Sequence, residues 1–321
     1  MFNRLSLRSQ IVVALIAVYL IWGSTYLAIR FAIETIPPFV MGGVRFLIAG
    51  GALYAWLRSR GVPAPTRLNW RATAIVGGLL LAGGNGGVIL AEELVPSSIA
   101  ALIVAMVPVW MTLLNWKWGD RTRPTTGVGL GVVLGMIGIA LIAAPASGTS
   151  GTINPIGVII LLGASLSWAI GSLYARRATL PSDPLMSTAM EMLAGGVLML
   201  ALGFITGQTA QVHLELITAQ SLVAVAYLIV FGSLIGFTAY VFLLKVTTPA
   251  IVSTYAFVNP VVAVFLGWAF AGEALTVRTL IAAAVIVAAV VLITTQQSKK
   301  SAGQSTVKAV LEAEPQLAES A

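Results

Sequence analysis

Residues 11–33, IVVALIAVYLIWGSTYLAIRFAI, decide how the chain is read. Arg4 and Arg8, ahead of the apolar run from Ile11 to Ile21, imitate the start of a secretion signal. The run, however, continues through Trp22 and Tyr26 to Ile33, too long for the apolar core of a signal and without a clear small-residue cleavage site. About 20 apolar residues cross a hydrocarbon layer ~30 Å thick, so the stretch is predicted to be a retained transmembrane helix. Segments of the same kind follow at 39–57, 72–91, 97–116, 125–144, 155–175, 184–206, 220–244, 249–270 and 278–295. The expected fold class is an all-α membrane protein with about ten transmembrane helices.

Composition agrees. Of 321 residues, 58% are hydrophobic and 9% charged, and the mean hydropathy is +0.97. Soluble domains carry about a quarter charged residues, so a water-facing surface cannot be built from this chain. No cysteine is present, which excludes disulfides, thiolate metal sites and cysteine nucleophiles. No Gly-rich loop ending in Gly-Lys-Ser/Thr is seen, so no ATP-driven engine is expected. His213 is the one histidine and falls in a loop, too little for a Ser-His-Asp or zinc centre. No enzyme activity, cofactor or metal is expected.

The net charge of +7 is explained by topology rather than by nucleic acid. Arg4, Arg8, Arg58, Arg60, Arg67, Arg71, Lys117, Arg121, Arg123, Arg176, Arg177, Lys245, Lys299, Lys300 and Lys308 all fall on one side of the predicted bundle. On the other side only Arg278 sits in a connection, with Arg30 and Arg45 inside helices near their ends. Basic loops stay cytoplasmic, so both termini are expected there. The tail 296–321 is polar and lysine-bearing and reads as mobile.

The chain also repeats itself. Trp22…Arg30 matches Trp168…Arg176, Ala49-Gly50-Gly51 matches Ala194-Gly195-Gly196, and Pro96 and Pro108 match Pro249 and Pro260. The two units are 1–148 and 149–295. Five helices per unit is an odd number, so the second copy enters the membrane from the opposite side. Such inverted repeats are the architecture of alternating-access transporters.

Polar groups inside a bilayer are costly and usually face protein. Arg45 lies about six residues into helix two from the outside, and Glu191 about seven into helix seven from the inside. At ~1.5 Å per residue the two stand ~10 Å apart in height, so an ion pair is not expected. Glu191 is the candidate for proton coupling, or else caps a neighbouring helix. Arg45, Arg30, Glu34, Glu92, Glu93, Glu273 and Arg278 form an outer collection of mixed charge, read either as a gate or as ordinary charge at helix ends. Substrate-binding candidates are Trp22, Tyr26, Asn85, Trp110, Trp168, Ser172, Tyr240, Tyr255 and Asn259, which suit a partly apolar, partly polar solute. Pro108 and Pro260, midway along helices four and nine, are expected to be matched hinges. Gly127, Gly131 and Gly135 predict close packing within the monomer or at a dimer contact.

With Trp22-Gly23-Ser24-Thr25 in helix one and Pro260 followed by Gly272-Glu273-Ala274-Leu275, the chain resembles the ten-helix EamA-type branch of the drug/metabolite transporter superfamily. The resemblance implies a basket of helices one, three, four, six, eight and nine around a central cavity, with five and ten at the side. It also implies export of amino acids, related metabolites or drug-like compounds across an inner membrane. Where the second half has Gly272-Glu273, the first has Gly119-Asp120-Arg121, so the glutamate is not a shared coupling residue. A passive facilitator or channel and a lipid-type carrier remain alternatives. Expected partners are the solute, the lipid bilayer and protons as a coupling ion, and the protein is a monomer or homodimer.

Overall fold

A computed structural model describes residues 6–118, 125–143, 153–247, 249–252 and 254–296. The expected tail, Lys299, Lys300, Lys308, Asp120, Arg121 and Arg123 lie outside these residues.

The described chain is helical without strands. We number the helices α1 (Leu7–Ala32), α2 (Pro38–Ser59), α3 (Arg67–Ala91), α4 (Ser97–Lys117), α5 (Thr126–Ala143), α6 (Pro155–Ala175), α7 (Pro184–Ile205), α8 (Ala219–Val246), α9 (Tyr255–Ala271) and α10 (Val277–Gln296). A single turn, Pro249–Val252, precedes α9. Eight of these helices are long and apolar enough to cross a membrane, while α5 and α9 are shorter apolar helices. Starts follow local chemistry. Proline occupies the first turn of α2, α6 and α7, where its missing N–H costs nothing. Ser6, Thr66, Asn154, Asp183 and Thr218 accept hydrogen bonds from orphan backbone N–H groups. α9 ends at Gly272, whose φ of 66° suits a residue without Cβ.

Large apolar side chains such as Ile159, Phe204, Val223 and Phe270 remain exposed, as expected where hydrocarbon is the solvent. Inside, α2 and α7 lie in intimate contact along small residues. A Cβ at Gly43 would stand 3.1 Å from the Gly196 carbonyl oxygen, and one at Gly196 would stand 3.0 Å from that of Gly43. One turn and more away, a Cβ at Gly50 would stand 2.9 Å from the Ala189 carbonyl oxygen. Ala189 is related to Gly43 by the same sequence spacing that relates Gly196 to Gly50. The contact thus sets Gly43 against Gly196 and Gly50 against Ala189. Helix five packs on α10 within the monomer: a Cβ at Gly131 would meet the Ala289 carbonyl oxygen at 3.1 Å.

Three helices depart from regular geometry. α3 carries a π-helical stretch at Gly78–Asn85 and α8 another, of the same length, at Leu228–Ile235. α4 breaks at Ala105–Met106. Pro108 sits in the first turn of the following segment, where it is tolerated. Pro260 instead lies inside the continuous helix α9, and the interruption comes before Tyr255. The two prolines thus play different geometric parts, not the matched kinks expected from their spacing.

The α2–α7 contact gives a direct test. Gly196→Leu forces bulk against backbone and is expected to lower stability by about 1–3 kcal/mol. Gly51→Leu, on the same helix pair but with nothing within 4 Å of its Cβ position, is expected to change it by less than about 0.5 kcal/mol. Thermal unfolding of the purified variants checks this.

Candidate functional site

The π-helical stretches organise the polar interior. A π turn displaces carbonyls from their helical donors, and in lipid those oxygens need another partner. In α8, the Gly232 carbonyl accepts from the Trp22 indole Nε1 at 3.2 Å. In α3, the Leu79 carbonyl accepts from Ser167 Oγ on α6 at 2.7 Å. Glycine makes room for the facing tryptophans: a Cβ at Gly236 would stand 2.9 Å from Trp22 Cδ1, and one at Gly84 2.9 Å from Trp168 Cε3. Trp22 on α1 thus abuts the stretch in α8 much as Trp168 on α6 abuts the one in α3.

Around Trp22 an aromatic wall forms. Its ring centroid lies 5.1 Å from Tyr240, 5.3 Å from Phe237 and 5.3 Å from Tyr255, and Tyr240 lies 5.9 Å from Tyr255. All four are part-buried. Of the expected contact residues, the structure brings Trp22, Tyr240 and Tyr255 together. Tyr26, one turn along α1, packs against the buried cluster that includes Ile99, Ile103 and Val264. A second group forms across α4 and α6, where Trp110 Nε1 donates to Ser165 Oγ at 2.9 Å. Asn85 closes the π stretch of α3 and is part-buried. Ser172 turns back on its own helix, donating to the Trp168 carbonyl at 2.8 Å. With its amide nitrogen facing them, Asn259 donates to the Tyr19 and Tyr255 carbonyls at 3.3 Å and ties α1 to α9.

The intramembrane charges do not pair. Arg45 is 3% exposed, and its Nε donates to Ser233 Oγ at 3.1 Å. Glu191 Oε1 accepts from Ser187 Oγ, four residues earlier, at 2.8 Å. Neither forms an ion pair among the described residues, in keeping with their expected difference in depth.

The end of the bundle where α3 finishes and α4 begins holds a contact that residue types alone did not reveal. Glu273, just beyond α9, places its carboxylate on the start of α4. Oε1 accepts from Ser97 N at 2.7 Å and Ser97 Oγ at 2.6 Å, and Oε2 from Ser98 N at 3.0 Å. It caps a helix N-terminus across the two halves of the chain, where backbone donors and dipole favour an anion. The sequence hint was Pro96-Ser97-Ser98, a helix start with no acid in its first turn. Beside it lies Glu92, which follows the last residue of α3, is fully buried, and has neither carboxylate oxygen hydrogen-bonded. Arg30 reaches the same corner, donating to the Glu92 carbonyl at 2.9 Å. Burial, and second the neighbouring Glu273 charge, push the Glu92 carboxyl well above the usual carboxylate range, with Arg30 opposing. Glu34 and Glu93 are exposed, and Arg278 instead donates to the Ile142 carbonyl at 3.1 Å. The expected outer collection therefore resolves into a corner where exposed Arg30 and part-buried Glu273 flank buried Glu92.

From this corner the first half of α4 packs on α9, α6 and α1, whereas its second half stays on α6, touches α5 more lightly and moves away from α9.

The sequence profile of the EamA-like transporter family matches this chain twice, over residues 9–144 and 155–295. The chain belongs to the EamA-like transporter family. Members of this family are transporters, not enzymes. The inner membrane transporter YedA of Escherichia coli K12, itself uncharacterized, is 44% identical over 264 residues, covering 82% of this chain and 83% of that one. The transporter YvbV of Bacillus subtilis is 26% identical, over 83% of this chain and 86% of the other. Protein PecM of Dickeya dadantii is 25% identical, over 81% and 84%. A protein of known crystal structure shares the EamA-like fold at a TM-score of 0.61 and 20% identity, covering 88% of this chain and 96% of that one.

The corner predicts a pH dependence. A carboxyl raised on burial disfavours its charged form, so the closed corner holds fully at acid pH and weakens as pH rises past the usual carboxylate range. Thermal stability is expected to fall as the pH rises above the usual carboxylate range, with Glu92→Gln removing that slope. Glu273→Ala should cost about 1–2 kcal/mol near neutral pH through loss of the cap.

Proposed function

We propose that the protein is a secondary transporter that moves a small organic metabolite across the inner membrane by alternating access, in the direction of export. The halves are an inverted repeat, and both termini are cytoplasmic. The basic connections support this orientation. The repeat is supported by devices that recur in both halves. Each has a π stretch in its third helix facing a tryptophan, and Gly43 with Gly196 answers Ala189 with Gly50 across the α2–α7 contact. In that register Arg45 and Glu191 occupy equivalent positions, with opposite charge.

The observation that carries the reading is the asymmetry of α4. Its outer half is fastened by the Glu273 cap to the end of α9, and its inner half leaves α9 while staying on α6. This is the arrangement of a carrier closed to the outside and accessible from the cytoplasm, which favours loading from within and so export. The aromatic wall of Trp22, Tyr240 and Tyr255, with Tyr26, Asn85, Trp110, Trp168, Ser172 and Asn259 on surrounding helices, lines the path. Rings and scattered hydroxyls suit amino acids or drug-like compounds with an apolar body. Glu191, close to the cytoplasmic side, serves as the proton-coupling group, while Arg45, Pro108 and Pro260 lie on helices that rearrange.

Uptake of a labelled amino-acid panel into proteoliposomes, with and without an imposed pH gradient, tests this. Accumulation above equilibrium driven by the gradient is expected for one class. Equilibration alone would mark a passive facilitator. Trp22→Ala is expected to lower transport roughly tenfold, from loss of an aromatic contact worth about 1.5 kcal/mol, while folded protein is retained. Unchanged transport in both Trp22→Ala and Trp168→Ala would remove the wall from the path.

A further inference from the structure

Arg45 stands out among the buried groups. A guanidinium has five donors and cannot shed its charge, and leaving one buried without a counter-charge costs several kcal/mol. Yet Arg45 is 3% exposed, has Ser233 Oγ as its hydrogen-bond acceptor, and its Nη1 has no partner at all. No carboxylate among the described residues pairs with it. Its surroundings are apolar or small: the Phe46 ring lies 4.7 Å from the guanidinium carbon, and Gly232 presents no side chain to Nη2. A methionine of similar length would fill such a place at less cost.

Its position supplies the reason. Gly232 and Ser233 are consecutive residues of the π stretch in α8. The first accepts from Trp22 and the second from Arg45. The aromatic wall and the unpaired cation therefore meet at a single turn. Thr25, one turn along α1 from Trp22, borders Gly232 as well, and Ser24 shares a hydrogen bond of 2.6 Å with Tyr227. Counted along their helices at ~1.5 Å per residue, Arg45 is some 10 Å and Trp22 some 15 Å from the closed end. A solute entering past Trp22 meets Arg45 next.

We propose that Arg45 is the recognition site for a carboxylate on the transported solute, whose apolar body rests on Trp22, Tyr240 and Tyr255. The Nη1 and Nη2 end of the guanidinium offers the forked donor pair that carboxylates accept. Ser233 holds Nε and so fixes the plane in which that fork lies. Nη1 is closed off from solvent in this state, so the carboxylate reaches it as the π stretch yields and the solute becomes occluded. This assignment rests on the transporter reading above, which it deepens by naming the chemical class of solute.

Equilibrium binding to the purified full-length protein in nanodiscs tests it without requiring transport. The probes are 3-phenylpropionate and its neutral amide, 3-phenylpropionamide, which share an apolar body and differ in charge. The carboxylate is expected to bind roughly tenfold to a hundredfold more tightly than the amide. Arg45→Met should erase most of that difference by weakening carboxylate binding far more than amide binding, and Arg45→Lys should retain part of it. Should Arg45→Met not fold, the comparison of the two probes on the unaltered protein and on Arg45→Lys still decides. Equal binding of acid and amide, or neither binding, overturns the assignment, as does an Arg45→Met variant that keeps the preference. Gradient-driven uptake of some uncharged or cationic solute would leave the transporter reading standing with the Arg45 assignment lost. Tight, Arg45-dependent carboxylate binding without movement would do the reverse.

Discussion

In hydrocarbon a backbone N–H or C=O without a partner costs several kcal/mol, because no water is present to replace it. That constraint governs this structure more than any single contact. It forces the chain into helices, and it restricts irregular backbone to places where another part of the protein supplies the missing partner. The two π stretches and the break in α4 are such places. Each faces protein, and the displaced carbonyls of Gly232 and Leu79 are met by Trp22 and Ser167. The irregular turns mark where the interior is polar, and polar interior in a membrane is where function concentrates.

Close approach of α2 and α7 allows the rest. Gly43 and Gly196 bring two backbones together without intervening side chains. The pair forms a spine between the half-bundles, leaving α1, α8 and α9 on one side of the interior and α3, α4 and α6 on the other. At one end the Glu273 carboxylate fastens the half-bundles together, and charge-assisted bonds to backbone donors are strong yet reversible by a small displacement.

Much of this was legible in the sequence. Hydropathy runs located every helix within a few residues, since length and apolar content are what a bilayer selects. Trp22, Tyr240 and Tyr255 were picked out from chemistry and depth, and they come together in space. Other features were not legible. The π stretches leave only glycines at 78, 83, 84 and 232 as a trace, and glycine in a membrane helix more often signals packing. The Glu273 cap joins residues far apart in sequence, and a glutamate after a helix looks like a surface charge until the facing helix is known. Pro108 and Pro260 shared a spacing but not a geometry, because a break just ahead of a proline relieves it, whereas Pro260 is held within a continuous helix.

The central claim is that the two ends of the interior open in turn. The chain lacks cysteine, so introduced cysteines can carry spin labels at unique sites. One pair, Leu94→Cys with Ala274→Cys, spans the closed end at exposed positions, and another, Trp116→Cys with Lys245→Cys, spans the opposite end. Distances across both pairs, measured by pulsed electron paramagnetic resonance with and without a transported solute, test the account most directly. It predicts two populations that shift reciprocally, the first pair lengthening as the second shortens. A single unchanged distance at each end while the solute still crosses would contradict it and describe a static pore.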